Sequence, residues 1–135
     1  RYIVFSVINF IIALVLVCFY FVLSNDYLLF ISGFIFLLGF LTPIITAHLY
    51  KIIPFLVWFH RFSSLVGKQK VPMLADMVPV KSSDFGFAFY LLGFILSLIA
   101  FIFSSDILFK SAVSFLFVGT SFIVKDVFYI INFKG

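Results

Sequence analysis

The chain has 135 residues, of which 65% are hydrophobic, 22% aromatic and 10% charged, and phenylalanine alone accounts for 23. Soluble domains are roughly 45–50% apolar and about 25% charged, and one of this size leaves about a third of its unfolded-chain surface in water. So much apolar side chain could not be hidden. A soluble enzyme, a nucleic-acid-binding module and a disordered tail are excluded as whole-chain readings, and an integral membrane protein remains. Nine Lys and Arg against five acidic residues, all Asp, give a net charge of +4. In a membrane chain such an excess reports orientation rather than a nucleic-acid partner.

The first apolar run, 2–24, carries no charge. As a helix its 23 residues reach about 34 Å, enough for a hydrocarbon core of roughly 30 Å. It is too long for a secretory signal and lacks a small-residue cleavage pattern. The chain opens on Arg1 rather than Met, so it is expected to be processed or to be a piece of a longer polypeptide. Ser24-Asn25-Asp26 reads as a tight turn into a second run, uncharged over 27–50. The runs 85–104 and 107–131 follow, separated by a second polar triplet, Ser104-Ser105-Asp106. In lipid every backbone polar group must be satisfied within the span, so these runs are helices.

The expected fold is therefore an all-α membrane protein, one integral-membrane domain over residues 1–135. Its four transmembrane helices form two antiparallel hairpins. The two turns carry Asp26 and Asp106, whereas Arg1, Arg61, Lys68, Lys70, Lys81 and Lys134 lie on the opposite side. The positive-inside rule places both termini and a central loop, 63–84, in the cytoplasm.

The second run does not stop at the membrane surface. After Lys51 it resumes as Ile52-Ile53-Pro54-Phe55-Leu56-Val57-Trp58-Phe59-His60-Arg61-Phe62. A single helix over 27–62 would be about 54 Å long. Pro43 and Pro54 each remove a helix hydrogen bond. The sequence predicts an extended second helix, kinked by proline, with a bend or break between His48 and Phe55. In the loop, the apolar stretch around Met73, Leu74 and Met77 is expected to fold back as a short interfacial turn.

Few residues could carry chemistry. The two histidines, His48 and His60, are twelve apart, hence about 18 Å along one helix and about 120° different in direction. They cannot serve one haem as its two axial ligands. With one cysteine (Cys18), no Glu, and neither an HExxH nor a CxxCH motif, the chain has no self-contained metal site. Lys51 lies on nearly the same helix face as His48 and could contact an anion or a haem propionate, or snorkel to lipid phosphate. Arg61, Lys68 and Lys70 form a basic cluster suited to acidic lipid headgroups. Lys125 and Asp126 point about 100° apart and read as interface anchors rather than a pair. Two small-xxx-small pairs, Thr42 with Thr46 and Gly93 with Ser97, mark helix contacts.

The block from His48-Leu49-Tyr50-Lys51-Ile52-Ile53-Pro54-Phe55-Leu56-Val57-Trp58 to Gly67-Lys68-Gln69-Lys70-Val71-Pro72-Met73-Leu74 resembles the C-terminal part of certain bacterial multi-span proteins. These are described as haem-copper-oxidase-subunit-I-like or NnrS-like. The match covers about a fifth of the chain. The resemblance implies a respiratory protein of the bacterial inner (cytoplasmic) membrane, holding haem through histidines spread over several helices. Here it assigns His48 as a possible ligand, with Lys51 beside the cofactor. Two departures stand out: the family has many more spans, and its His-x-His pair is absent. Haem would then need ligands from another chain or a missing part, and the chain would not be catalytic on its own. The reading is a C-terminal portion or small subunit of such a protein. Its partners would be the bilayer and other membrane subunits, or further copies of itself. A non-catalytic accessory subunit of a larger complex is the alternative. A small transporter is a third, but it calls for polar residues near midplane on several helices, and the spans offer only Asn9 and hydroxyls.

Overall fold

The two tight turns have almost the same backbone. In this computed structural model, which describes residues 1–134, helix α1 (Tyr2–Leu23) ends on Ser24 at φ 49°, ψ 39°, and Ser104 ends a later helix at φ 49°, ψ 42°. Asn25 and Ser105 follow in extended conformation and cap the next helices, Asn25 accepting from the Tyr27 N–H and Ser105 from that of Leu108. An aspartate, Asp26 or Asp106, then occupies the first helical position, where its charge suits the positive end of the helix dipole. Serine in the left-handed region is strained, and glycine is not. Ser24→Gly and Ser104→Gly are each expected to raise stability in detergent by about 0.5 kcal/mol, and Ser24→Val to lower it by about 1 kcal/mol. Loss of stability in both glycine variants would contradict the left-handed assignment.

All elements are helical, and among the described residues there is no strand. Four helices are long and apolar enough to cross a membrane: Tyr2–Leu23, Asp26–Leu65, Val80–Phe103 and Asp106–Ile131. The second comprises α2 (Asp26–Phe34), a π-helical segment (Ile35–Leu41), α3 (Thr42–Phe62) and a 3₁₀ turn (Ser63–Leu65). Helix α3 runs through Pro54 with no break, so of the expected bend or break the break is absent. The departure from α geometry lies earlier, before Pro43. There the Thr42 N–H reaches back to the Leu37 carbonyl, which also accepts from Thr42 Oγ1 at 2.9 Å. The wider turn keeps the Pro43 ring from clashing with the carbonyl one turn before it. A second 3₁₀ turn (Leu74–Met77) precedes α4 (Val80–Phe103) and α5 (Asp106–Ile131). Helix α4 begins five residues before the expected 85. Pro79 supplies its N-cap, and Lys81-Ser82-Ser83-Asp84, charged enough to read as loop, form its first turn.

The chain divides into two units, Arg1–His48 and the part from Leu49 onward. In both, small and polar residues form much of the buried helix contacts, and many large apolar side chains face outward. In the first unit, Ser6, Asn9 and Ala13 are buried on α1, and Ser32, Gly39 and Thr46 on the helix that follows. A Cβ on Gly39 would lie 2.8 Å from the Asn9 Cβ, so only glycine fits there. Rings of Phe10, Phe36 and Phe40 flank this contact, Phe10 and Phe40 at 4.7 Å.

In the second unit, α4 buries Gly86, Tyr90, Gly93, Phe94, Ser97 and Ala100, and α5 buries Ala112, Gly119, Ile123, Asp126 and Ile130. Gly86 faces Phe122, Gly119 faces Tyr90, and Gly93 faces Leu116 and Ala112, so residue numbers climb along α4 as those of their partners fall along α5. Between helices in lipid there is little hydrophobic drive, and close backbone approach through small residues supplies the attraction instead. The seam hydroxyls are satisfied locally: Ser6, Ser32, Thr46 and Ser97 each donate to a carbonyl of their own helix.

Candidate functional site

The second unit contains a polar junction that the apolar sequence hides. Tyr50 on α3, the loop after Phe62, and the last turns of α5 close around a core of Phe62, Met77 and Ile130. Ile53, Val57, Trp58, Val71 and Phe133 pack against it. Three hydrogen bonds over long sequence separations fix this cluster. The Tyr50 hydroxyl donates to Asp126 Oδ2 at 2.7 Å, the Trp58 indole to the Pro72 carbonyl at 2.8 Å, and Arg61 Nη1 to the Phe133 carbonyl at 2.6 Å. The loop is held at its own turn as well, where the Asp76 carboxylate accepts from the Met73 N–H.

Asp126 is completely buried, and its Oδ1 has no hydrogen-bond partner. A half-satisfied carboxyl in an apolar interior is costly, and within a membrane span such a residue is a functional candidate by default. Sequence reasoning placed Asp126 at the interface beside Lys125. The signal that could have found it is a seven-residue spacing: Ala112, Gly119 and Asp126 share one face of α5, as Gly86, Gly93 and Ala100 share one face of α4. Lys125, one residue away, is exposed; its Nζ lies 5.3 Å from the Phe122 ring centroid and 3.5 Å from Ser82 Oγ.

His48 closes the first unit and is exposed. Its Nδ1 lies 2.7 Å from the Ile44 carbonyl oxygen of its own helix. A carbonyl only accepts, so the bond assigns the hydrogen to Nδ1, and in the neutral ring Nε2 is left as the acceptor. His60, in the second unit, repeats the arrangement with the Leu56 carbonyl at 2.8 Å. A histidine so oriented can present Nε2 to a metal. Among the described residues no three of His, Cys, Asp and Glu cluster to hold a metal ion.

The remaining candidates separate. Lys51 is exposed on α3. Lys68 and Lys70 are exposed in the loop, whereas Arg61, though exposed, spends a guanidinium N–H tying α3 to the end of α5. Gly93 lies against the α5 backbone, where a Cβ would come within 2.7 Å of the Leu116 nitrogen, and Ser97 is fully buried on the same seam. Thr46 is buried and donates to the Thr42 carbonyl. Met73 is 75% exposed, but Met77 is fully buried, so the loop turns one methionine out and one in.

Comparison with protein-family models, with curated proteins and with solved structures finds no match to this chain.

Proposed function

We propose that the chain is a membrane-embedded portion or small subunit of a haem-copper-oxidase-like respiratory protein in a bacterial inner membrane. It would supply helix packing and one imidazole rather than a complete catalytic centre. In this reading the four spans form two antiparallel hairpins with both termini in the cytoplasm, and the second helix bends at Pro54 as it leaves the hydrocarbon.

The observation that carries the proposal is the state of His48. It is exposed, its Nδ1 is bonded to the Ile44 carbonyl, and in the neutral ring its Nε2 remains an acceptor. Such an imidazole is prepared to meet a haem carried mainly by other helices, whose redox chemistry the haem itself would supply. In the complete complex, His48→Ala is expected to remove one haem or abolish its low-spin spectrum. Unchanged haem content and spectrum would make His48 structural and leave the haem reading without residue-level support.

The outward apolar faces favour a second reading, a non-catalytic accessory subunit. The most apolar window of α5 is only 11% buried, which leaves most of that helix for lipid or for neighbouring subunits. Co-purifying subunits without any haem dependence on His48 would select it.

A further inference from the structure

The part of α3 beyond Lys51 carries a surface that neither reading uses. Ile52, Phe55, Leu56 and Phe59 recur at the spacing of one helix face, and each is about half exposed. The rings of Phe55 and Phe59 stack with centroids 6.2 Å apart. The opposite face is already occupied. Tyr50, Ile53, Val57 and Trp58 pack against the core of Phe62, Met77 and Ile130, and Pro54 is buried on that side.

In the proposed topology, lipid tails do not account for this stripe. Helix α5 starts at Asp106, so Asp126 lies about 30 Å further along, one hydrocarbon thickness. Tyr50 bonds Asp126 and is therefore level with the inner edge of the hydrocarbon. Arg61 bonds the Phe133 carbonyl, so α3 continues in the direction in which α5 leaves. Ile52 to Phe59 then cover about 3–14 Å beyond that edge, among headgroups and water. Four large apolar side chains exposed there on one face mark an interaction site.

We propose that this stripe pairs with the same stripe of a second copy of the chain, as a short parallel coiled coil about a two-fold axis along the membrane normal. Insertion gives every copy the same direction and depth, so two stripes meet in register, and a two-fold contact needs only a self-complementary patch. With Ile52 and Phe59 at a positions, Phe55 falls at d and Leu56 at e. The charges suit a copy better than an acidic partner. Lys51 is the one lysine of α3, and it falls at g. In a parallel pair g lies beside e, so Lys51 meets the partner's Leu56 rather than another lysine, and its stem covers that leucine. Arg61 is on the far side of the helix, tied to the Phe133 carbonyl.

The inference rests on the four-span topology proposed above, and the test keeps the two apart. Single cysteines are placed in the full chain on a Cys18→Ser background and oxidised in isolated native membranes. Ile52→Cys, Phe55→Cys and Phe59→Cys should give disulfide-linked dimers. His60→Cys, exposed and adjacent but about 100° round the helix, should give far less. Ile52→Ser/Phe59→Ser should lower the dimer association constant about ten-fold or more, read by single-molecule photobleaching of the labelled chain in phosphatidylcholine vesicles. Ile52→Leu/Phe59→Leu should keep the dimer. Equal cross-linking of Phe59→Cys and His60→Cys would reduce the dimers to random collision and overturn the pairing. Capture of a different polypeptide by Phe59→Cys, with no self-dimer, would overturn it in favour of another subunit. No cross-link at any of the three stripe positions would overturn it and leave the stripe to the bilayer surface. If Asn25→Cys and Gln69→Cys are labelled from the same side, the topology itself fails, whatever the dimer yield.

Discussion

Gly119→Leu is expected to force α4 and α5 apart and cost about 3 kcal/mol or more, the upper end for overpacking a close contact. A Cβ at residue 119 would lie 2.8 Å from the Tyr90 nitrogen, 3.0 Å from its Cα and 3.0 Å from the Gly86 carbonyl oxygen. All three are backbone atoms in the middle of a helix, so no side chain can rotate away to make room. Gly93→Leu should behave alike, because it meets the Leu116 nitrogen and the Ala112 carbonyl. Gly33→Ala is the matched control. Nothing lies within 4 Å of a Cβ there, so the change should be neutral or stabilise the helix by up to about 1 kcal/mol. Denaturant titration in mixed micelles reads all three. Equal tolerance of leucine at 119 and alanine at 33 would mean that the α4–α5 seam is not formed as described.

The second large effect is expected at Tyr50. Tyr50→Phe removes the hydroxyl that reaches Asp126 Oδ2 and leaves a fully buried carboxyl with neither oxygen bonded. An unsatisfied buried polar group costs about 1–3 kcal/mol, and more when it is ionic, so the loss should be about 2 kcal/mol or above. Tyr50→Phe combined with Asp126→Leu should be milder than Tyr50→Phe alone, because replacing both partners by apolar groups removes the stranded polar atoms. The coupling in that double-mutant cycle measures the bond between α3 and α5. Strictly additive losses would show that the two side chains do not interact.

The spans were legible because lipid enforces a simple rule: long uncharged runs with internal hydrogen bonding. The turns were legible because Ser24-Asn25-Asp26 and Ser104-Ser105-Asp106 carry their own capping chemistry. The start of α4 was not, since Lys81 and Asp84 look like loop until Pro79 is recognised as its N-cap. The loop's packing was hidden for a different reason. Met77 is buried and Trp58 bonds the Pro72 carbonyl only because the chain returns over α3, and no local pattern encodes that return. The burial of Asp126 was not legible, because a charge beside Lys125 near a span's end normally marks the interface. Its burial follows from the register it shares with Ala112 and Gly119, which is read seven residues at a time. Pro54 drew attention as the helix breaker, yet α3 passes through it and the irregular segment precedes Pro43. His48 was picked out by residue type, but its bond to the Ile44 carbonyl is a matter of rotamer and needed coordinates.

In the proposed topology Asn25 and Gln69 lie on opposite sides of a membrane that the chain crosses four times. Its most direct test is single-cysteine labelling in intact cells, on a Cys18→Ser background because the one native cysteine is exposed. Asn25→Cys should react with a membrane-impermeant maleimide from outside, and Gln69→Cys should react only after the membrane is opened. Labelling of both sites from the same side would contradict the four-span arrangement.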